Sequence, residues 1–563
     1  KRFVTRGAYS IVSHPIYLGA ILVAAGVALA TRSAGGLWLV TPTLALAIVA
    51  WVIGFERSAT RERFGNAPPP MISLAPASDE RPTTSDRLSF YPLVLLPWLV
   101  GYEAVELLGV PRDARSVYFA WDAALPVIQW TESVYFAVYP VVLLAPFVAP
   151  SRRVLRRFAA GGTWATALIF PLFLLLPFVA QAKPVAGDGM WAWLLRFERA
   201  GDAPVTAIPA FHIVWAALAV DVFAQRWPRA RWLCVAFVAG VAVSCVTTGM
   251  HAVADVVAGL VCYALVVRRR AVWSVLRRGA ERIANSWQEL EIGTVRLMNH
   301  GLYTAAGAAV GVGVAVTLAG PDHLWWLVAM TLAAIIGAGL WAQLIEGSAQ
   351  LLRPFGYFGS VAATVLFAFA AARAGLDGWL LFSAFGVGTT FAQAIGRMRC
   401  LVQGCCHGRQ APDALGIRYR HPRSRVVRLG ALGGVPLHPT PLYSALWMLV
   451  VGAALLRLWS IGAPLSFIVG AYFLLTGVGR FVEEHYRGEP QTLVVGGLRL
   501  YQWFAIAFVV SGPAVMSIAS PPAPSIHHFD PRTLPVLLAV AVVTYAFYGL
   551  DFPRSSRRFS RLA

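Results

Sequence analysis

A chain of 563 residues that is 58% hydrophobic and only 13% charged carries about half the charge of an ordinary soluble domain, which excludes a water-soluble globular protein. Lysine and arginine outnumber aspartate and glutamate 47 to 27, giving a formal charge of +20. The arginines sit in short clusters between apolar runs, such as Arg152, Arg153, Arg156 and Arg157, or Arg268 to Arg270; that placement fits the positive bias of loops on one membrane face and excludes nucleic acid as the reason for the basic balance.

Apolar windows of roughly 18 to 22 residues, each long enough to cross the hydrocarbon layer as a helix, recur along the sequence. Sixteen such cores are predicted, at 16–31, 36–55, 88–111, 126–149, 161–181, 210–225, 231–247, 250–267, 301–319, 324–343, 356–374, 378–396, 440–459, 463–481, 499–518 and 532–549. The expected fold is an all-α, polytopic membrane protein. Polar or arginine-rich stretches at 56–87 and 268–299 group the spans by two, six and eight, predicting three bundles over residues 1–70, 88–270 and 300–520, with an extra helix and basic tail at 521–563. No cleavable signal peptide is visible and the sequence opens at Lys1, as if its natural start were missing. Six cysteines in a chain this long are too few for a disulfide framework.

In the first segment, the string Gly7-Ala-Tyr9-Ser-Ile-Val-Ser-His14-Pro15-Ile-Tyr17-Leu18-Gly19 precedes two spans, Glu56 and Phe64-Gly65. It resembles the tail of the isoprenylcysteine carboxyl methyltransferase and phospholipid methyltransferase family. That family places paired glutamates near S-adenosylmethionine, whereas here Glu56 is followed by Arg57, which repels a sulfonium. A two-helix anchor without a cofactor is the expectation.

Within the middle segment, Pro209-Ala210-Phe211-His212 opens one span, and Ser244, His251 and Asp255 surround the start of another. His251 and Asp255, four apart on a helix, share a face, so the carboxylate can hold the imidazole in one tautomer with its other nitrogen aimed at substrate. This pattern is similar to the type 2 phosphatidic acid phosphatase superfamily, particularly its inositol-phosphorylceramide-synthase-like branch. The resemblance implies His251 as nucleophile, Asp255 as its orienting carboxylate, His212 as acid toward the leaving alkoxide, and Ser244 and Lys183 as phosphate contacts. Cys245 stands where the wider family has arginine, and Ala210 where it has serine. Apart from the resemblance, the histidines would read as interfacial residues satisfied by backbone carbonyls. The three catalytic residues are expected within side-chain reach of one another on the outer face, with His212 and His251 no more than about 12 Å apart, the reach of one shared phosphate.

The last segment carries Asn299-His300-Gly301-Leu-Tyr303, Gln393-Ala-Ile-Gly396-Arg397, Gly404-Cys405-Cys406-His407-Gly408-Arg409, Leu437-His438-Pro439-Thr440-Pro-Leu442-Tyr443, Gly479-Arg480-Phe481-Val-Glu483, Arg487-Gly-Glu489-Pro490 and Tyr501-Gln502. Together these strings resemble prolipoprotein diacylglyceryl transferase, which moves diacylglyceryl from phosphatidylglycerol to a lipoprotein thiol. The resemblance implies that Arg397 and Arg480 handle phosphate, with His438, Tyr443, Glu483 and Gln502 in the substrate site. Guanidinium groups suit that task because they offer a phosphodiester paired, permanently charged donors. The family's His-Gly-Gly string falls at Phe355-Gly356-Tyr357-Phe358-Gly359, where no histidine stands, so another acceptor is an equal expectation. Cys400, Cys405, Cys406 and His407 lack the separated pairs of a zinc site, and no metal is expected.

The sequence thus predicts a phospholipid-processing enzyme, phosphatase or phosphotransferase in the middle and diacylglyceryl transferase-like at the end. Its expected partners are phosphatidylglycerol, lipid phosphates and a lipoprotein precursor, in a bacterial inner membrane. Counting spans places the Arg397 and Arg480 ends inside, opposite to the face at which the resembled transferase works. A lipid scaffold or transporter built from decayed enzyme units is the alternative; transporters favour mid-membrane charges and inverted repeats, and no such repeat is evident.

Overall fold

A helix occupies every one of the sixteen predicted cores in the computed structural model, which describes residues 7–65, 71–74, 76–202, 204–345, 352–489 and 493–563. Among the described residues, eleven helices are long and apolar enough to cross a bilayer. Pro15–Ala30, Val253–Val267, Tyr357–Arg373 and Leu500–Met516 are shorter apolar helices, and Phe211–Arg226 has 16 residues. Helices prevail because backbone groups in hydrocarbon must find partners within their own segment. The chain is an all-α polytopic membrane protein, with only short two- and three-stranded sheets.

Helix ends depart from the apolar cores where a cap extends them. Ser151 accepts a hydrogen bond from the Val154 amide at 3.4 Å, so the Arg152–Leu175 helix begins before its apolar stretch and carries the arginine cluster in its first two turns. The polar stretch at 268–299 folds as the Arg269–Ala284 helix followed by a hairpin of Glu289–Ile292 with Val295–Met298. That hairpin pairs with Leu550–Asp551, and Arg296 grips the buried Asp551 carboxylate at 3.0 and 2.8 Å.

Packing divides the chain into two compact units, residues 1–19 with 66–272, and residues 20–65 with 273–563. In the first, the Phe211–Arg226 helix runs through the core against Val138–Val148, Arg152–Leu175, Arg231–Thr247 and Val253–Val267. A β-carbon on Gly259 would lie 2.6 Å from the Ala210 carbonyl oxygen, so only glycine lets the Val253–Val267 helix close onto the start of Phe211–Arg226. That contact brings the two histidine-bearing segments together.

In the second unit, Gly301–Ala319 packs on Gly378–Gln403, and Leu465–Tyr486 on Leu500–Met516. Gly388 meets the Gly311 carbonyl oxygen so closely that a β-carbon would stand 2.1 Å from it. Residues 20–65 of the predicted two-helix segment belong to this unit: Thr41–Trp51 packs on Leu465–Tyr486, and Trp51 stacks on Phe481.

Candidate active sites

The first unit assembles a line of polar side chains around Tyr135. Its hydroxyl lies 2.9 Å from Nδ1 of His212 and 3.3 Å from Nε2 of His251, and the two imidazole centroids are 5.8 Å apart. His251 turns its Nδ1 toward Asp255 Oδ2 at 3.5 Å. The same carboxylate oxygen accepts the Ala252 amide at 2.9 Å, capping the Val253–Val267 helix. Asp255 is therefore fixed by its own helix and in turn sets the face that His251 presents. Beyond His212, the Nε2 atom lies 3.0 Å from the Tyr139 hydroxyl, which donates to Glu198. Glu198, Tyr139, His212, Tyr135, His251 and Asp255 thus form one continuous polar line. Burial foremost pushes the Glu198 carboxyl above its usual range, against the lowering effect of the Tyr139 hydrogen bond.

His212, His251 and Asp255 are brought together as the sequence predicts, well inside 12 Å, whereas Lys183 and Ser244 are otherwise engaged. The Lys183 ammonium donates to the carbonyls of Asp122 and Leu125 at 2.6 and 2.9 Å. Ser244 returns its hydroxyl to the Val241 carbonyl at 2.9 Å. Residues that sequence reasoning missed stand closer. Tyr135 and Tyr139 are four apart on the Gln129–Val148 span, a spacing that would have put them on one face. Glu198 and Arg199 end the Met190–Ala200 helix, and Arg199 donates to the Thr248 carbonyl at 2.7 Å, three residues before His251. That places a guanidinium on the turn that follows the helix bearing Cys245, the residue at the resembled family's arginine position.

In the second unit, arginines from two helices meet carboxylates from one. Arg480 reaches Glu483 at 3.1 Å and Glu484 at 2.8 Å, and Arg397 reaches the other Glu483 oxygen at 3.6 Å. Arg487, absent from the predicted site, pairs with Glu484 at 2.7 Å and Glu489 at 3.9 Å. Arg397 and Arg480 therefore converge, but the anion between them is Glu483. Near hydrocarbon each of these charges would be costly alone. Helical spacing of three and four accounts for the Arg480, Glu483, Glu484 and Arg487 cluster. Pro490, in the same string, lies outside the described residues.

Both arginines line a cavity of about 340 Å³ and a neighbouring one of about 400 Å³ whose wall includes Leu46, Val49, Ala50 and Ile53. Tyr357, within the stretch where the family's His-Gly-Gly string is expected, lines both, and its hydroxyl lies 3.0 Å from the Tyr472 hydroxyl. His438 pairs its Nδ1 with the Tyr443 hydroxyl at 3.1 Å, and Tyr443 lines the second cavity. Gln502 is spent on backbone: it accepts the Arg499 amide at 3.0 Å and donates to the carbonyls of Gly54 and Phe481 at 3.3 and 3.4 Å.

Three histidines of this unit outside the spans are held neutral. Burial, then Arg399, Arg425 and Arg296, pushes His300 well below its ordinary value of 6.5. Burial also lowers His407, and burial followed by Arg409 lowers His438. Below the ordinary value the unfolded chain binds protons that the folded unit refuses, so stability is full above about pH 6.5 and falls as pH drops below it. Thermal melts at about pH 7.5 and 5.5 are expected to show this loss, and His300→Gln to reduce it.

Three family models match consecutive stretches of the sequence: phospholipid methyltransferase over residues 1–67, the PAP2 superfamily over 113–268, and prolipoprotein diacylglyceryl transferase over 288–518. Their order is the order of the three resemblances. The last region is 30% identical over 131 residues to phosphatidylglycerol–prolipoprotein diacylglyceryl transferase 2 of Clostridium perfringens, covering 23% of this chain and 48% of that protein. It is 33% identical over 198 residues to the phosphatidylglycerol–prolipoprotein diacylglyceryl transferase of Mycobacterium tuberculosis, covering 33% of this chain and 41% of the relative. The chain thus spans less than half the length of these curated relatives.

Proposed function

We propose that this chain is a membrane enzyme with two separate sites for phospholipid chemistry, one of phosphohistidine type and one of diacylglyceryl-transfer type, in a bacterial inner membrane. The observation that carries the reading is the pairing of His212 with His251 across Tyr135, with Asp255 behind His251. In the first unit His251 Nε2 attacks phosphorus of a lipid phosphate, and the bond from phosphorus to the lipid oxygen breaks. His212 delivers the proton that the departing alkoxide needs. Water or an acceptor hydroxyl then gives its proton to His212 and attacks the phosphohistidine, restoring free His251. Asp255 keeps Nδ1 protonated throughout, leaving the Nε2 lone pair for phosphorus.

Tyr135 holds the two imidazoles in register. Tyr135→Phe keeps the ring and removes the hydroxyl, so kcat for phosphate release is expected to fall about tenfold, the worth of roughly one hydrogen bond of 1.5 kcal/mol. KM should change little. Steady-state kinetics on a short-chain lipid phosphate checks it.

For the second unit, the reading rests on Arg397 and Arg480 at a cavity with an apolar neighbour, and on the region matched to the transferase model. The substrate is phosphatidylglycerol, whose phosphodiester displaces part of the Glu483 pairing while its acyl chains take the apolar wall. An acceptor nucleophile, a lipoprotein thiol or another acceptor group, attacks the glyceryl carbon and gives up its proton to the departing phosphate. The carbon–oxygen bond breaks, and glycerol phosphate leaves with the electron pair, stabilised by the guanidinium groups. Incubating purified protein with labelled phosphatidylglycerol, phosphatidic acid and a thiol-bearing acceptor peptide, then resolving the products, tests both halves.

A further inference from the structure

Neither reaction uses Cys400, Cys405 and Cys406, yet the fold gathers them. Cys400 lies in the last turn of the Gly378–Gln403 helix, and the turn that follows returns Cys405 and Cys406 to it. All three sulfurs lie within 4.8 Å of one another, with Cys405 and Cys406 3.8 Å apart. Two sulfurs bound at ~2.3 Å to a common ion, with angles of about 110° to 120°, stand about 3.8 to 4.0 Å apart, whereas a disulfide requires ~2.0 Å. The Cys405–Cys406 spacing matches that of ligands sharing an ion, and Cys400 stands within reach of the same point.

Charge and ligand number narrow the ion. Arg397 directs Nη1 at the Cys406 sulfur at 3.8 Å, and Arg399, Arg425 and Arg487 line the same cavity as the three thiols. Guanidinium groups favour thiolate over thiol. They also compensate the negative charge that three thiolates leave on a monovalent ion. His407, next in sequence, does not complete a set of four: its Nδ1 lies 3.0 Å from the Gly408 carbonyl oxygen, and its ring is not in the cluster. Structural zinc sites close with four ligands, whereas soft thiolates select Cu(I). We propose that Cys400, Cys405 and Cys406 form a three-thiolate site for Cu(I). Binding releases the thiol protons and changes no oxidation state, because the ion enters already reduced. The bound ion would tie the end of the Arg397 helix to the turn beyond it.

Anaerobic titration of the full chain in detergent with Cu(I), against a chromogenic chelator as competitor, tests the site. The expected result is one tightly held copper per chain with a near-ultraviolet sulfur-to-copper band. Cys400→Ser and Cys405→Ser should each weaken binding at least tenfold, while His407→Ala and Cys234→Ser retain it. X-ray absorption of the copper-loaded wild type should show three sulfurs and no nitrogen, a readout that needs no variant to fold. Absence of stoichiometric copper, undiminished affinity in Cys405→Ser, nitrogen in the shell, or a Cys405–Cys406 disulfide in protein prepared without oxygen would each overturn the proposal.

Discussion

Replacing His251 with alanine is expected to abolish phosphate release from lipid phosphates, by on the order of 10⁴-fold or more, because no neighbouring group can replace a missing nucleophile. His212 cannot take over: it is held between Tyr135 and Tyr139, and among the described residues no carboxylate is aligned on it as Asp255 is on His251. The fold should survive the change. Asp255 keeps its bond to the Ala252 amide at 2.9 Å, so the helix that bore the nucleophile remains capped. Release of labelled phosphate, measured alongside the melting temperature of the same preparation, separates lost chemistry from lost structure. Near-normal turnover in a well-folded His251→Ala protein would remove the phosphohistidine mechanism.

The second large effect concerns Arg397→Lys. Charge is conserved but the planar fork is lost, and lysine cannot engage a carboxylate and a phosphodiester with paired donors. Loss of one charge-assisted hydrogen bond of about 1.5 to 3 kcal/mol corresponds to roughly a 10- to 100-fold fall in phosphatidylglycerol turnover. Arg480→Lys should fall at least as far, because its guanidinium already divides between Glu483 and Glu484 and a point charge cannot serve both. Were each arginine merely reaching headgroups independently, both variants would be nearly silent. Measuring release of glycerol phosphate in the two variants decides between these cases.

The spans were legible because long apolar runs leave the backbone no choice but helix. Legibility of the sites followed helical spacing. His251 with Asp255, and Arg480 with Glu483, lie one helical turn apart, so the sequence places each pair on one face. What the sequence hides is what other helices contribute. Tyr135 and Tyr139 reach His212 from 77 and 73 positions away, and Glu198 joins through the Tyr139 hydroxyl; the spacing of the two tyrosines puts them on one face, but nothing local says that the face meets His212. Arg397 and Arg480, which the resemblance assigns to phosphate, meet the carboxylate of Glu483 in the fold; buried cations near lipid need an anion, and here a side chain supplies it. Lys183 reads as a free phosphate donor until the chain turns its ammonium onto two carbonyls. The three-sulfur cluster depends on a reversal after Gln403, which spacing alone does not reveal.

The central claim is that two chemistries occupy two independent sites in one chain. The most direct test supplies wild type, His251→Ala and Arg397→Lys with phosphatidic acid carrying labelled phosphate, phosphatidylglycerol carrying labelled glycerol and a thiol-bearing lipoprotein-precursor peptide as acceptor, and resolves the products of all three. Wild type should release both labels, His251→Ala only the glycerol label as glycerol phosphate, and Arg397→Lys chiefly the phosphate. Loss of both products from either well-folded variant, or loss of neither from both, would contradict the account.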